Sequence, residues 1–220
     1  MEKQTAEKIV EALSGVYPDK PALRYETEFQ LLIAVILSAQ CTDERVNRVT
    51  AELFPEYGTP EKMLTLTKEE LGKKIFSCGL YNSKAEHILS ACSDIVTRFH
   101  GEVPRTDILE RFEGNVPDNI KDLMSLAGVG RKTANVVYSV AMGGDAIAVD
   151  THVFRVSNRI GLAHAKDVLN TEKQLMAILP QKDWSRTHHY LIYLGRNVCK
   201  AGKGANCGAC PVYEYCERNL

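Results

Sequence analysis

Apolar positions along this chain recur at the spacing of helices. In residues 3–14, Ala6, Ile9, Val10 and Leu13 share one face of an amphipathic helix. Residues 28–37 are apolar on every side, with Phe29, Leu31, Leu32, Ile33, Val35 and Ile36, a pattern that a buried strand and a buried helix both satisfy. The lead into Ser38-Ala39-Gln40 and the lack of any other strand signal favour a central helix. Thr42 or Asp43 can cap the next helix, whose Val46, Val49 and Leu53 line one face before Pro55. Residues 60–66 and 68–76 read as two short helices. The turn Cys78-Gly79-Leu80-Tyr81-Asn82 follows, with Asn82 placed to cap a helix whose Ala85, Ile88, Cys92, Ile95 and Phe99 are spaced three, four, three and four. Further helices are expected over 153–160, 171–179 and 184–198. Alternation of period two is nearly absent, so the chain is predicted to be all-α.

One stretch interrupts this regularity. Leu123-Met124-Ser125-Leu126-Ala127 is helix-like, breaks at Gly128-Val129-Gly130, and restarts at once as Arg131-Lys132-Thr133-Ala134-Asn135. Glycines of this kind turn one helix into another, and such a hairpin can be purely structural. They also let a backbone approach closely, and the amides at a helix N-terminus attract an anion such as phosphate. Lys132 in that first turn meets the positive end of the helix dipole, and Arg131 adds like charge; both effects lower the pKa of an amine, as a nucleophilic lysine requires. Eighteen residues further on, Asp150 in Val149-Asp150-Thr151-His152 stands where a helix should begin. It suits an N-cap, and a capping carboxylate is held rigidly enough to serve chemistry as well. His152 reads as a packing residue or as a support for its neighbours.

The segment before the hairpin contains an internal echo. Phe99-His100-Gly101-Glu102-Val103-Pro104 recurs thirteen residues later as Phe112-Glu113-Gly114-Asn115-Val116-Pro117. Two copies do not make a solenoid, so a local tandem insertion is the modest reading.

Composition narrows the setting. Among 220 residues, 45% are hydrophobic and 25% charged, as in ordinary soluble domains, and the length allows one large domain or two small ones. The longest strongly apolar run, Leu31 to Leu37, is far too short for a bilayer, and residues 1–13 do not resemble a signal peptide, so a cytosolic protein is expected. A net charge of −1 gives no overall attraction to a polyanion, although local amides and a few lysines can still hold phosphates.

Seven cysteines divide unevenly. Cys41, Cys78 and Cys92 lie among apolar neighbours and read as buried thiols. The other four follow the pattern Cys199-x7-Cys207-x2-Cys210-x5-Cys216, which in a reducing compartment argues for metal over disulfides. Spacing alone leaves tetrahedral zinc and an iron–sulfur cluster equally open.

The hairpin run from Gly128 to Val137 and the run Ala148-Val149-Asp150-Thr151-His152-Val153-Phe154-Arg155-Val156 together resemble the helix-hairpin-helix base-excision DNA glycosylases, and among them the bacterial endonuclease III family. Ser38-Ala39-Gln40-Cys41-Thr42-Asp43, Gly79-Leu80-Tyr81-Asn82-Ser83-Lys84-Ala85 and the terminal cysteines match in the same order, covering nearly the whole chain. The resemblance implies an all-α, two-lobed fold: a six-helix-type domain at 22–145 containing the hairpin, and a discontinuous domain of 1–21 plus 146–220 with a cluster loop. It implies that Lys132 attacks C1′ of a damaged nucleotide in duplex DNA, with Asp150 stabilising the cationic sugar. The damaged base must leave the stack, and Gln40 and Leu80 would fill the space it vacates. Gly128, Val129, Gly130 and Arg131 would hold the strand, with His152, Lys200 and Lys203 as further DNA contacts. Cys199, Cys207, Cys210 and Cys216 would ligate a [4Fe–4S] cluster, read as a structural clamp.

The implied activity is a bifunctional glycosylase and abasic-site lyase, acting as a monomer on oxidised pyrimidines. Two other readings belong beside it. A monofunctional glycosylase such as the adenine-mismatch enzymes lacks the hairpin lysine and carries an extra C-terminal domain, whereas this chain has Lys132 and ends four residues past Cys216. A non-enzymatic DNA-binding iron–sulfur module has no need of both Lys132 and Asp150. The chain also departs from the family pattern. The first cysteine gap is seven residues where six is usual, Ala127 replaces a common proline, and the Gly-x-Val-Pro element is doubled.

Overall fold

The computed structural model describes residues 1–101, 103 and 119–219, apart from the side chains of Asn119 and Lys203. After α1 (Lys3–Ser14) the chain runs through α2 (Glu28–Leu37), α3 (Asp43–Tyr57), α4 (Pro60–Met63), α5 (Lys68–Lys74), α6 (Tyr81–Arg98), α7 (Asn119–Ser125) and α8 (Arg131–Val140). It continues through α9 (Thr151–Ile160), α10 (Val168–Ile178) and α11 (Trp184–Asn197), with single 3₁₀ turns between and after them. The protein is all-helical: among the described residues there is no strand, and Cys199 and Ala205 form an isolated antiparallel bridge. No described helix is long and apolar enough to cross a membrane. The chain divides into two compact units, Pro21–Gly143 and a discontinuous unit of Met1–Lys20 with Gly144–Leu220.

The Pro21–Gly143 unit is built around α2. Phe29 through Leu37 are all buried, so this helix has no solvent face, and it packs against α3, α6 and α8. Its all-round apolar pattern is that of a central helix. The start is fixed by Thr27, whose hydroxyl accepts from the Gln30 amide at 3.2 Å. Thr42, Thr59 and Thr67 cap α3, α4 and α5 in the same way, and at α5 the Glu70 carboxylate returns a bond to the Thr67 amide at 2.8 Å.

Several boundaries differ from the sequence expectation, each for a local reason. α3 passes through Pro55 to Tyr57, because a proline in the last turn removes only one intrahelical bond. The two short helices stop at Met63 and Lys74, and Phe76–Cys78 forms a separate 3₁₀ turn. α6 starts at Tyr81 from a left-handed Leu80 (φ 49°), which puts Asn82 inside the first turn and not at the cap. α10 starts earlier, at Val168, because Asp167 accepts from the Asn170 amide at 2.8 Å. Of the doubled element, Val103 is buried and the Gly101 amide donates to Ile95 O at 2.9 Å, while the copy from Phe112 to Pro117 lies outside the described residues.

In the discontinuous unit, Ala6, Ile9, Val10 and Leu13 of α1 join one core with Val153, Val156 and Ile160 of α9, Leu175 of α10, and Leu191 and Leu194 of α11. The C-terminal tail is tied to the end of α9. Glu217 N donates to Ile160 O at 3.0 Å and Asn219 N to Arg159 O at 3.1 Å. These bonds satisfy carbonyls that a helix C-terminus otherwise leaves unpaired. Gly161 permits the turn with φ 95°, and a Cβ there would run into the Glu217 carboxyl. Gly161→Ala should therefore lower unfolding free energy by roughly 1–3 kcal/mol, through left-handed strain and loss of the tail contact. Chemical denaturation with matched m-values checks this, and an unchanged midpoint would contradict it.

Candidate functional site

The hairpin is closed by backbone bonds. Leu126 N donates to Leu123 O at 3.2 Å and Val129 N to Leu126 O at 3.1 Å, after which Ala134 N reaches Gly130 O at 2.9 Å to open α8. Gly128 adopts φ 75°, and a Cβ there would sit 2.8 Å from His87 Cβ, so α6 closes directly on the turn. Gly130, the N-cap of α8, contributes no side-chain cap, and the space its missing Cβ would occupy is open. Arg131 and Lys132 follow in the first turn, both half-buried. The Val129 side chain is buried, so the turn presents backbone and not this side chain.

Two further expected residues carry left-handed backbone. Gln40 has φ 54° and Leu80 φ 49°; both are exposed, and the apolar Leu80 side chain is 57% accessible. A non-glycine residue in this region costs of order 1–2 kcal/mol, and such strain concentrates at functional positions. His100, with φ 54°, is a third exposed non-glycine residue of the Pro21–Gly143 unit in this conformation.

In the discontinuous unit, Asp150 is fixed by its own helix. Its Oδ1 accepts from Val153 N at 2.8 Å, and its carbonyl accepts from Phe154 N at 2.8 Å. The preceding residues Ala146 to Val149 are buried, and Ala148 O pairs with the buried His188 Nδ1 at 2.7 Å. The carboxylate is thus held from both chain directions. His152 is half-buried, with Nδ1 3.3 Å from Arg155 Nη2. Arg155 in turn donates to Gly195 O at 2.9 Å and Cys199 O at 3.0 Å.

Cys199, Cys207, Cys210 and Cys216 line one pocket, together with Arg159 and Val198. Burial raises the Cys210 and Cys216 thiols above their usual pKa; amides of Val212 and Arg218 oppose this, while Cys199 and Cys207 add to it. Four sulfurs that repel one another as thiolates are a donor set that a metal centre neutralises. Among the described residues no three His, Cys, Asp or Glu side chains converge as one metal ion needs. Four cysteine sulfurs on one pocket are a donor set that would fit a multi-iron cluster with one thiolate per iron. Arg218 N donates to Cys216 Sγ at 3.3 Å, and Arg159 Nη1 lies 3.6 Å from Cys199 Sγ and 2.7 Å from Lys200 O. Lys200 is exposed.

Sequence reasoning missed three cations. Arg155 and Arg159 are one helical turn apart on α9 and both bond the first cysteine segment, a relation the i, i+4 spacing could have suggested. Lys84 is 4% exposed and donates to Leu37 O at 2.8 Å and Cys78 O at 2.9 Å. Nothing in an amphipathic pattern singles out a buried lysine. Cys41 also differs from expectation: Cys78 and Cys92 are buried, but Cys41 is half-exposed.

Comparison with known proteins agrees over nearly the entire chain. The family model described as HhH-GPD superfamily base excision DNA repair protein matches residues 33–181. Endonuclease III of Rickettsia conorii is 45% identical over 218 residues, 99% of this chain and 97% of the relative. Endonuclease III of Bacillus subtilis is 49% identical over 195 residues, 88% of this chain and 83% of the relative. Among solved structures, a trapped endonuclease III–DNA covalent intermediate with an estranged adenine superposes with a TM-score of 0.87 at 44% identity, covering 99% of this chain and 97% of that one. On these matches and the all-helical fold, the chain belongs to the HhH-GPD superfamily of base excision DNA repair proteins, and within it to the endonuclease III family.

Proposed function

We propose that the protein is a bifunctional DNA glycosylase and abasic-site lyase that removes oxidised pyrimidines from duplex DNA. It would act as a monomer in the bacterial cytosol and nucleoid. The observation that carries this reading is Lys132 in the first turn of α8, directly after an N-cap without a side chain. Amides at such a terminus favour a phosphate, and an amine beside a bound backbone phosphate is positioned for the adjoining sugar. That a structural neighbour is a covalent endonuclease III–DNA intermediate supports nucleophilic chemistry of this kind.

In this mechanism the Lys132 amine attacks C1′, and the N-glycosidic bond breaks with its electron pair leaving on the base, which takes up a proton. The amine nitrogen then loses a proton and opens the sugar ring, breaking C1′–O4′ with O4′ taking up a proton, and the resulting protonated imine acidifies the C2′ hydrogen. Loss of that proton breaks the C3′–O bond, cutting the strand 3′ of the site, and water then releases Lys132. The Asp150 carboxylate offsets the positive charge that develops on the sugar and relays protons. Gln40 and Leu80 enter the stack when the damaged base leaves it, which accounts for their exposure despite strained backbone. Gly128, Gly130 and Arg131, with the Val129 backbone, hold the strand; His152, Lys200 and Lys203 are assigned peripheral contacts. Cys199, Cys207, Cys210 and Cys216 would hold a [4Fe–4S] cluster, which when bound fastens the C-terminal loop and contributes no electron to the lyase reaction.

Borohydride tests the central step. Duplexes carrying thymine glycol or an abasic site should give a covalent adduct that disappears in Lys132→Ala; no adduct with either substrate would overturn the proposal. Asp150→Asn preserves an equally good N-cap, so stability should change little while strand cleavage falls roughly 10²–10⁴-fold. A folding defect of matching size would instead assign Asp150 to structure alone. For the cluster, metal and sulfide analysis of anaerobically purified protein should give four irons and four inorganic sulfides per chain, as the [4Fe–4S] formula requires. Stoichiometric zinc in their place would reject it.

A further inference from the structure

The turn after α2 carries left-handed Gln40 and the turn before α6 left-handed Leu80, and each also carries a cysteine. Cys41 follows Gln40, its amide donating to Ser38 O at 3.0 Å. Cys78 precedes Gly79 and Leu80, its amide donating to Ile75 O at 2.9 Å. The two turns adjoin, since Lys84 Nζ takes the carbonyls of Leu37 and Cys78 and Arg45 Nη1 reaches Ser77 O, and the Cys41 sulfur is near enough to bear on the Cys78 thiol. Cys78 is 2% exposed and Cys41 half-exposed, so one sulfur is reachable from solvent and the other waits behind it.

Cations bind both turns to one another. Lys84 Nζ bridges Leu37 O and Cys78 O, and its own amide donates to Leu80 O at 2.9 Å. Arg45 Nη1 donates to Ser77 O at 3.2 Å. Burial first, and then the Cys41 sulfur, push the Cys78 thiol up to about 11, while Lys84 and Arg45 pull the other way. Positive charge therefore stands beside the Cys78 thiol. None of this is used by the glycosylase chemistry.

We propose that Cys41 and Cys78 form a redox-active dithiol that a low-molecular-weight disulfide converts to an intramolecular disulfide, joining the Gln40 turn to the Leu80 turn. The half-exposed Cys41, as thiolate, attacks one sulfur of the small disulfide; a Cys41 mixed disulfide forms and one small thiol leaves. Cys78, giving up its proton, then attacks Cys41 Sγ, and the second small thiol leaves. Two protein thiols are oxidised and one small disulfide is reduced to two thiols, and excess thiol reverses both steps. Transient disulfides of this type are the form in which such bonds occur in reducing compartments. The consequence for DNA binding rests on the proposed role of Gln40 and Leu80: the bond restrains the two residues that would have to move into the stack.

The experiment uses the cluster-loaded protein and oxidised glutathione under anaerobic conditions, with iron content verified before and after. Tryptic digestion without reductant should yield residues 25–45 joined to residues 75–84, reversed by dithiothreitol and absent in Cys41→Ser. Cys78→Ala serves as the second variant if Cys41→Ser does not fold. Glutathione retained on Cys41, or both peptides recovered as free thiols, would overturn the proposal. The oxidised protein should bind a duplex with a tetrahydrofuran abasic-site analogue about fivefold or more weakly, the lower range of site-to-site coupling, and undamaged duplex unchanged. Equal affinity for the analogue would overturn the link to DNA while the cross-link stood. Absence of borohydride trapping in the reduced protein would strike the lyase assignment instead, and leaves the cross-linking result independent of it.

Discussion

Every helix leaves backbone amides without partners at its start and carbonyls without partners at its end, and an all-helical protein must dispose of them repeatedly. Most starts here are closed by a side-chain oxygen. Thr27, Thr42, Thr59, Thr67, Asp150 and Asp167 each accept from the amide three residues on. The starts of α1, α6, α8 and α11 lack such a bond; at α6 and α8 the residues at the cap, Leu80 and Gly130, have no side-chain oxygen to offer. Of these, the turns into α6 and α8 give the cap position to a residue that cannot cap. Both carry candidate DNA contacts.

Helix ends also explain how strain is tolerated. Leu80 and Gln40 each incur the cost of a left-handed conformation, and neither recovers it by burying its side chain, since both are exposed. The offset lies beneath them. The buried Lys84 ammonium takes two carbonyls, one from the end of α2 and one from the turn entering α6, and so holds the chain on either side. A buried cation is costly unless its donors are used, so the same bonds that fix the turns make Lys84 tolerable inside the unit. Removing either carbonyl geometry would expose the other to the full cost of an unsatisfied lysine.

The helical framework was legible from spacing because burial in this protein is one-sided for nearly every helix: α1, α6, α9 and α11 present their apolar residues at three and four. α2 was ambiguous for the opposite reason, since complete burial erases the period that separates helix from strand. Within the candidate site, Gly128, Lys132, Asp150 and the four cysteines stand out by residue type at helix ends or by spacing. Gln40 and Leu80 do not, because left-handed backbone at a glutamine or leucine leaves no trace in sequence; resemblance alone singled them out. Lys84 was invisible, and the spacing of Arg155 and Arg159 shows only that they share a helix face, for a related reason. They act through bonds to backbone carbonyls far away in sequence, and a carbonyl has no residue type to read.

Asp150 shows how a cap and the proposed chemistry can fall to one residue. A carboxylate that accepts from Val153 N is held to one rotamer, and the buried stretch from Ala146 to Val149 fixes the backbone from which it projects. The second carboxylate oxygen is not needed for the cap. A side chain recruited for stability thereby arrives pre-positioned, with an acceptor to spare, and the entropy of holding it has already been offset by folding. Gly130 is the reverse case: it supplies no cap to α8, at a loss of roughly 1 kcal/mol, and the terminus keeps the polarity that the proposed phosphate contact would use.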